Sequence, residues 1–154
     1  MVTQNLNNHQ LKELLIHAVE KTYQENFLIK NNALKGRAGI EQSLVFRVGI
    51  HLHELLKDTS YMSLDLDSEY NKFIDDTKRT SHFPKGIRPD LILHSRGNQK
   101  NNILAVEFKG WWNMDLESDR EKLKDLTDIQ GPYCYQLGAL VVFELEKPCF
   151  EFFP

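Results

Sequence analysis

Two apolar runs joined by a short polar segment constrain the fold of this 154-residue chain more than any other feature. The runs cover residues 87–94 and 102–109, and the segment between them reads SRGNQKN. It contains Gly97 and Asn98, which are residues suited to a tight turn. The pattern therefore predicts two antiparallel strands of one hairpin.

The register of this hairpin decides where its charged residues lie. If Asp90 pairs with Glu107, then Asp90, Glu107 and Lys109 emerge on one face at one end of the sheet, because opposed residues of an antiparallel pair point to the same side. A slip by one residue would move Asp90 to the other face. In the expected register, the opposite face carries the apolar side chains of Leu91, Leu93, Leu104, Val106 and Phe108.

The remaining periodicity predicts a mixed α/β fold in one domain that spans residues 1–154. We expect a central sheet of about four to five strands, flanked by helices. Helices are predicted over 6–30, 39–58 and 115–128. Further strands are predicted over 61–70 and 134–144, with an edge strand over 149–153, and residues 71–87 are predicted to form a loop.

Composition limits the classes of function. The formal net charge is -3, so the chain has no general basic excess for binding nucleic acid, and any phosphate-binding surface must be local. The loop 71–87 is the most basic stretch, and Arg88 follows it directly. Four basic residues here suit either a solvated loop or phosphate contacts: Lys78, Arg79, Lys85 and Arg88. No leader or membrane span is recognised, and the two cysteines lack metal-ligand spacing, so we expect a cytoplasmic protein.

The acids of the hairpin pose an electrostatic problem. Their face also carries Ile92, Ile103 and Ala105, so we expect it to be covered, and burial of two carboxylates is costly without compensation. Lys109 would neutralise one acid and leave the other unpaired. A divalent cation would resolve the imbalance, and a structural salt-bridge cluster is the alternative.

Glu41 leads to the same site independently. On a helical wheel it lies within about 40° of Val45, Val48 and Leu52, near the middle of the apolar stripe of the second predicted helix. An acid in the first turn also suits the helix dipole, which is the structural alternative. Otherwise Glu41 points toward the sheet, where Asp90 and Glu107 need a cation.

The sequence resembles the PD-(D/E)xK nuclease superfamily, whose members have the restriction-endonuclease-like fold. The resemblance covers roughly residues 38–144, and small uncharacterised members are similar around Asp119, Lys122 and Leu123. The chain departs from the family pattern at Gly110, Trp111 and Trp112, where polar or basic residues are expected. The resemblance is carried by Glu41, Pro89, Asp90, Glu107, Phe108 and Lys109.

The resemblance implies a metal-dependent nuclease that hydrolyses phosphodiester bonds, in DNA more than in RNA. Asp90, Glu107 and the main-chain carbonyl of Phe108 would bind Mg²⁺ or Mn²⁺, with Glu41 contributing through water. Lys109 would stabilise the attacking water or the charge on the phosphate. A homodimer is expected, since one small domain offers little surface for a duplex. The alternative is a non-catalytic binding or assembly module of a mobile-element or phage-defence system.

Several residues keep two interpretations. Glu69 suits a solvated strand face or the outer part of a metal site. Trp111 and Trp112 suit the capping of a core or the stacking of a base beside the active site. Lys122 suits an exposed, charge-paired helix or a contact with phosphate.

Overall fold

The computed structural model describes residues 5–25, 40–113 and 115–154. The helices within these ranges are α1 (Asn8–Gln24), α2 (Ile40–Leu56) and α3 (Glu117–Thr127). The strands are β1 (Asp65–Ser68), β2 (Lys72–Phe73), β3 (Asp76–Thr77), β4 (Leu91–His94), β5 (Leu104–Gly110), β6 (Leu137–Phe143) and β7 (Cys149–Phe153). The chain is thus an α/β protein, as the sequence predicts.

The main sheet has five strands in the order β1-β4-β5-β6-β7, and β2 and β3 form a separate hairpin. The β5–β6 pair is parallel and the other pairs are antiparallel, so the sheet is mixed. Strand β5, which carries Glu107 and Lys109, lies at the centre. Helix α3 connects β5 to β6, because a parallel pair requires a crossover connection.

The register of the β4–β5 hairpin is the one predicted. Leu91 pairs with Val106, Ile92 with Ala105, and Leu93 with Leu104. The face with Leu91 and Leu93 packs under α1 and α2, whereas Ile92 and Ala105 pack against α3. The charged face is therefore covered, as expected from its apolar residues.

Capping and burial explain the ends and faces of the helices. Helix α1 starts at a capping box in which Asn7 accepts from the Gln10 backbone amide and the Gln10 side chain accepts from the Asn7 amide. Buried residues of α2 form the predicted stripe: Leu44, Val45, Val48, Leu52 and Leu56. Of the predicted helices 6–30 and 39–58, residues 26–30 and 39 lie outside the described residues.

Three expectations about local structure were wrong. Residues 71–87 contain the β2–β3 hairpin and are not only loop. The strand predicted over 61–70 is confined to Asp65–Ser68, and Met62 precedes it with an exposed side chain. Ile103 lies just before β5, where strand alternation has not begun, and packs with the cluster under α1 and α2. No helix within the described ranges is long and apolar enough to cross a membrane.

Candidate active site

Asp90 is fixed just before β4 by both its backbone and its side chain. Its Oδ2 accepts a 2.7 Å hydrogen bond from the backbone amide of Phe108. Its carbonyl accepts a 3.1 Å bond from the amide of Glu69. The side-chain bond holds the Asp90 carboxyl group against the central strand, next to Glu107.

Glu107 is 1% exposed and belongs to the middle of β5. Its Oε2 lies 3.2 Å from Nζ of Lys122. Its Oε1 is buried, and no donor within the described residues reaches it. A buried carboxylate oxygen without a donor is costly, so this atom needs a proton or an external cation.

Asp90 and Glu107 form a coupled pair of acids. Burial, followed by the charge of Asp90, raises the pKa of Glu107 well above its usual value. Burial also raises the pKa of Asp90, although the Phe108 amide and the charge of Lys122 lower it. Without a cation, the pair therefore favours holding a proton.

Glu41 reaches the same end of the sheet from the first turn of α2. Its Oε2 accepts a 3.2 Å hydrogen bond from the backbone amide of Gly110, the last residue of β5. Burial and the charge of Asp90 raise its pKa, while the Gly110 amide and Lys109 lower it. The predicted convergence of this helix on the sheet is thus observed.

Lys109 is paired with a different acid from the one expected. Its Nζ lies 3.2 Å from Oδ2 of Asp119 in α3, whereas Glu107 is paired with Lys122. Burial alone would lower the pKa of Lys109, but the charge and hydrogen bond of Asp119 and the charge of Glu41 raise it. Lys109 therefore remains charged beside the acids.

Asp119 joins the two lysines of the site. It is 2% exposed, and its Oδ1 lies 3.0 Å from Nζ of Lys122, whereas its Oδ2 contacts Lys109. The cluster thus contains four carboxyl groups and two ammonium groups, which gives an excess of two negative charges when all are ionised. Its members are Glu41, Asp90, Glu107, Asp119, Lys109 and Lys122.

Two acids of the cluster, Glu41 and Asp90, line a cavity beside α2. Glu41, Glu69 and Asp90 line a cavity of about 260 Å³, and Val45, Phe46 and Ser68 are shared between this cavity and a neighbouring groove of about 390 Å³ along α2 and β1. In the described part of the chain, no three His, Cys, Asp or Glu side chains come close enough to hold a metal ion by themselves. Any cation here would depend on fewer side chains together with backbone or water oxygens.

The predicted basic residues do not form one patch. Lys78 is 1% exposed, and its ammonium group donates to the Lys72 carbonyl and lies 4.7 Å from the centre of the Tyr70 ring. Burial lowers its pKa to about 8. In this structure Lys78 is thus a core residue that an external phosphate does not reach. Arg79, Lys85 and Arg88 are exposed, and Arg79 pairs with Asp76 at 3.0 Å.

The two tryptophans pack against the core where β5 leads toward α3. Their ring centres are 4.6 Å apart in an edge-to-face arrangement. A Cβ atom on Gly110 would lie 2.3 Å from the Trp112 ring, which explains why a glycine follows Lys109. Trp111 also lines a groove of about 610 Å³ that none of the predicted acids lines. The capping interpretation therefore accounts for their packing.

Sequence reasoning named Lys122 as a possible phosphate contact and Asp119 only through the family resemblance, and it missed Asp119 as a partner of the two lysines and Phe46 at the rim of the site. Asp119 and Lys122 precede Leu123 and Leu126 at i, i+3, i+4 and i+7 spacing, which is the signal of a single inward stripe. Phe46 is 67% exposed between the cavity and the groove. A large aromatic residue on the outer face of α2 was the available clue.

Comparison with protein-family models, curated proteins and solved structures finds no match for this chain.

Proposed function

We propose that this chain is a divalent-cation-dependent nuclease of the PD-(D/E)xK superfamily, with a restriction-endonuclease-like fold, that hydrolyses phosphodiester bonds in DNA. The observation that carries the proposal is the buried Asp90–Glu107 pair, in which Glu107 Oε1 has no donor among the described residues. Two acids buried side by side would destabilise the fold if nothing else compensated their charge. A ligand of opposite charge is therefore the simplest reason for their presence.

The donor set fits Mg²⁺ or Mn²⁺. These hard cations take oxygen ligands, and Mg²⁺ is commonly held by one or two carboxylates and several waters. Asp90 and Glu107 would hold the cation with the Phe108 carbonyl, and Glu41 would contribute through water. The cluster's two excess negative charges match one such ion. A divalent cation bound there would activate water for attack and neutralise charge on the phosphate.

Lys109 would stabilise the substrate's phosphate. Its Nζ is held by Asp119 at 3.2 Å, and its side chain is 19% exposed, so the ammonium group is positioned on a side chain that is not fully buried. A fixed positive charge beside a phosphate favours the transition state, in which negative charge increases on the phosphoryl oxygens. Asp119 thus acts as a positioning residue for Lys109.

The order of elements supports the proposed fold. Helix α2, which carries Glu41 in its first turn, precedes β4, and Asp90 lies just before β4. The next strand, β5, carries Glu107 and Lys109. A helix and a parallel strand follow. This is the order that the family resemblance implies, with the acids at one end of the central strands.

The surroundings suggest how DNA would be held. Phe46 is exposed where the acid cavity meets the apolar groove, and aromatic side chains at such places stack on unpaired bases. Arg88, two residues before Asp90, and Lys85 are exposed and suited to phosphate contacts. We propose a homodimer as the working form, because one domain of this size covers little of a duplex.

A cation titration tests the proposal. Purified protein would be incubated with Mg²⁺ or Mn²⁺ and with single-stranded, duplex and branched DNA, and with RNA. Cation-dependent cleavage of at least one substrate by the wild type, lost in Asp90→Asn and retained in the exposed control Asp58→Asn, would support it. Cation binding without cleavage of any substrate would reject the catalytic proposal.

The second candidate is a non-catalytic nuclease-fold module in a mobile-element or phage-defence assembly. It is favoured by the lack of a three-side-chain metal group in the described ranges and by the formal net charge of -3. In that case the acid and lysine cluster would be structural. Unchanged stability on addition of Mn²⁺, with no cleavage, would favour this candidate.

A further inference from the structure

We propose that Lys122 takes the place of the cation's charge in the metal-free protein, is displaced from Glu107 when the cation binds, and then contacts the substrate's phosphate. This inference rests on the proposed function. It begins with two distances: Nζ of Lys122 lies 3.2 Å from Oε2 of Glu107 and 3.0 Å from Oδ1 of Asp119. One ammonium group therefore bridges a strand acid and a helix acid.

Lys122 and a cation would neutralise the same buried carboxylate. Glu107 is 1% exposed, and among the described residues its Oε1 has no donor while its Oε2 contacts Lys122. A divalent ion beside Glu107 would repel an ammonium group a few ångströms away, because like charges at short range in a partly buried site are unfavourable. The two positive groups therefore compete for Glu107.

Asp119 keeps the displaced Lys122 within the site. The two residues are one helical turn apart in α3, so their contact does not depend on the position of Glu107. The Lys122 side chain is 22% exposed, whereas that of Glu107 is 2% exposed, so the lysine has a route toward solvent that the acid lacks. After displacement, the ammonium group would be held at the edge of the cluster, where a phosphate oxygen can reach it.

Lys122 and Lys109 would then have different roles. Lys109 contacts Asp119 and, within the described part of the chain, forms no ion pair with Glu107, so cation binding leaves its partner unchanged. Lys122 changes partner. Substrate affinity should therefore depend on the cation through Lys122 in particular.

Calorimetric titration of the full chain with Mn²⁺ at fixed pH tests the competition. Lys122→Met should bind Mn²⁺ about tenfold more tightly than the wild type, or tighter still, since the competing charge is gone. Its melting temperature without metal should fall, because Glu107 loses its counter-ion, and should rise more on addition of Mn²⁺. The matched control Lys124→Met, exposed on the same helix, should resemble the wild type in both measurements.

Two further variants protect the test against misfolding and misinterpretation. Lys122→Gln keeps a polar side chain of similar reach and should also bind Mn²⁺ more tightly. Lys122→Arg keeps the charge and should keep the wild-type Mn²⁺ affinity within about threefold. Unchanged or weaker Mn²⁺ binding by both neutral variants would overturn the inference.

Binding of a single-stranded oligonucleotide tests the second step. With Ca²⁺ as a cation that takes the same oxygen ligands, Lys122→Met should bind the oligonucleotide more weakly than the wild type, and its affinity should fall less steeply with salt, by about one unit of the logarithmic slope. Without a divalent cation, the two proteins should bind alike. Equal oligonucleotide affinities with Ca²⁺ would overturn this step.

The outcomes separate this inference from the proposed function. If the wild type binds Mn²⁺ and cleaves DNA while Lys122→Met and Lys122→Gln show no gain in Mn²⁺ affinity, only the inference fails. If the wild type binds no Mn²⁺, both fail. A gain in Mn²⁺ affinity in both neutral variants, with wild-type behaviour of Lys124→Met, supports the exchange of partners.

Discussion

Oδ2 of Asp90 accepts a 2.7 Å hydrogen bond from the backbone amide of Phe108, so the acid that precedes one strand is held by the strand beside it. The bond places the carboxyl group next to Glu107 without using a second side chain. The geometry of the acid pair thus depends on the β4–β5 register, which the hydrophobic pattern already specifies.

Asp90→Asn is expected to abolish cleavage and preserve the fold. The amide oxygen of asparagine can still accept from Phe108, but the side chain has lost the negative charge that attracts a cation. Activity should fall by more than about a hundredfold, and Mn²⁺ should no longer raise the melting temperature. Cleavage assays and thermal unfolding with and without Mn²⁺ measure both effects. Full activity in Asp90→Asn would contradict the assignment of the site.

Glu107→Gln is expected to stabilise the metal-free protein at neutral pH. The folded protein raises the pKa of Glu107, so folding favours the protonated acid. The contribution of Glu107 to stability should be fully present below its usual pKa of 4.5 and should be lost as pH rises from there through the pKa of the folded state. A neutral glutamine removes this loss. Its melting temperature in EDTA at neutral pH should exceed that of the wild type by a few degrees, since ~1 kcal/mol corresponds to about 2–4 °C at this size.

The control for this experiment is Glu121→Gln, which changes an exposed acid of α3. It should keep the wild-type dependence of melting temperature on pH. Saturating Mn²⁺ should stabilise the wild type and reverse its loss at neutral pH, but should not stabilise Glu107→Gln. A wild-type melting temperature that rises between about pH 5 and pH 8 in EDTA would show that the acid pair is not strained in this way.

The positions of the strand acids in the sheet could be predicted from the sequence, because the alternation of apolar residues along a strand is a local pattern. Alternation of apolar residues in 87–94 and 102–109 specified the faces, and the predicted register matches the observed pairing. Glu41 was located by its angle on the α2 stripe, and its contact with the Gly110 amide agrees with that position. In these cases one period, of two or of 3.6 residues, was enough.

The lysine partners could not be predicted in the same way. Helix α3 reads ESDREKLKDLT, in which charged residues occupy most positions, so the inward stripe is marked mainly by Leu123 and Leu126. Which lysine meets which acid depends on how α3 lies across β5 and β6, a tertiary property. Burial of Lys78 likewise depends on local packing and on its bond to the Lys72 carbonyl, and the periodicity of the sequence does not predict it. Side-chain pairing between distant elements therefore could not be predicted from the hydrophobic periodicity.

Gly110→Ala is expected to disturb both the tryptophan cap and Glu41. A Cβ atom at residue 110 would lie 2.3 Å from the Trp112 ring, so the ring or the end of β5 must move. Overpacking of this kind costs about 1–3 kcal/mol, and the Gly110 amide also donates to Glu41. Thermal unfolding and Mn²⁺ titration would measure the two effects. The double variant Gly110→Ala, Trp112→Ala should recover Mn²⁺ affinity, which identifies the clash as the cause.

Phe46→Ala is expected to weaken the binding of single-stranded DNA and to have little effect on folding. The ring is 67% exposed, so its removal costs little packing, whereas loss of one base-stacking contact costs about 1–3 kcal/mol of binding energy. Fluorescence anisotropy with a short oligonucleotide in Ca²⁺ would measure the affinity. Phe46→Trp should retain it. Equal affinities of the wild type and Phe46→Ala would remove the groove from the proposed substrate path.

Replacement of Arg88 and of Lys78 should separate surface charge from buried charge. Arg88 is exposed two residues before Asp90, so Arg88→Gln should weaken DNA binding and reduce the logarithmic salt slope by about one.

Lys78 is 1% exposed, with its ammonium group bonded to the Lys72 carbonyl, so Lys78→Met should leave the salt slope unchanged. Burial lowers the pKa of Lys78 to about 8, so the wild type should gain stability as pH rises from about 8 toward the unfolded pKa of 10.5, and Lys78→Met should lack this gain. A reduced salt slope in Lys78→Met would show that this residue reaches the DNA and that its buried position is not the one used in binding.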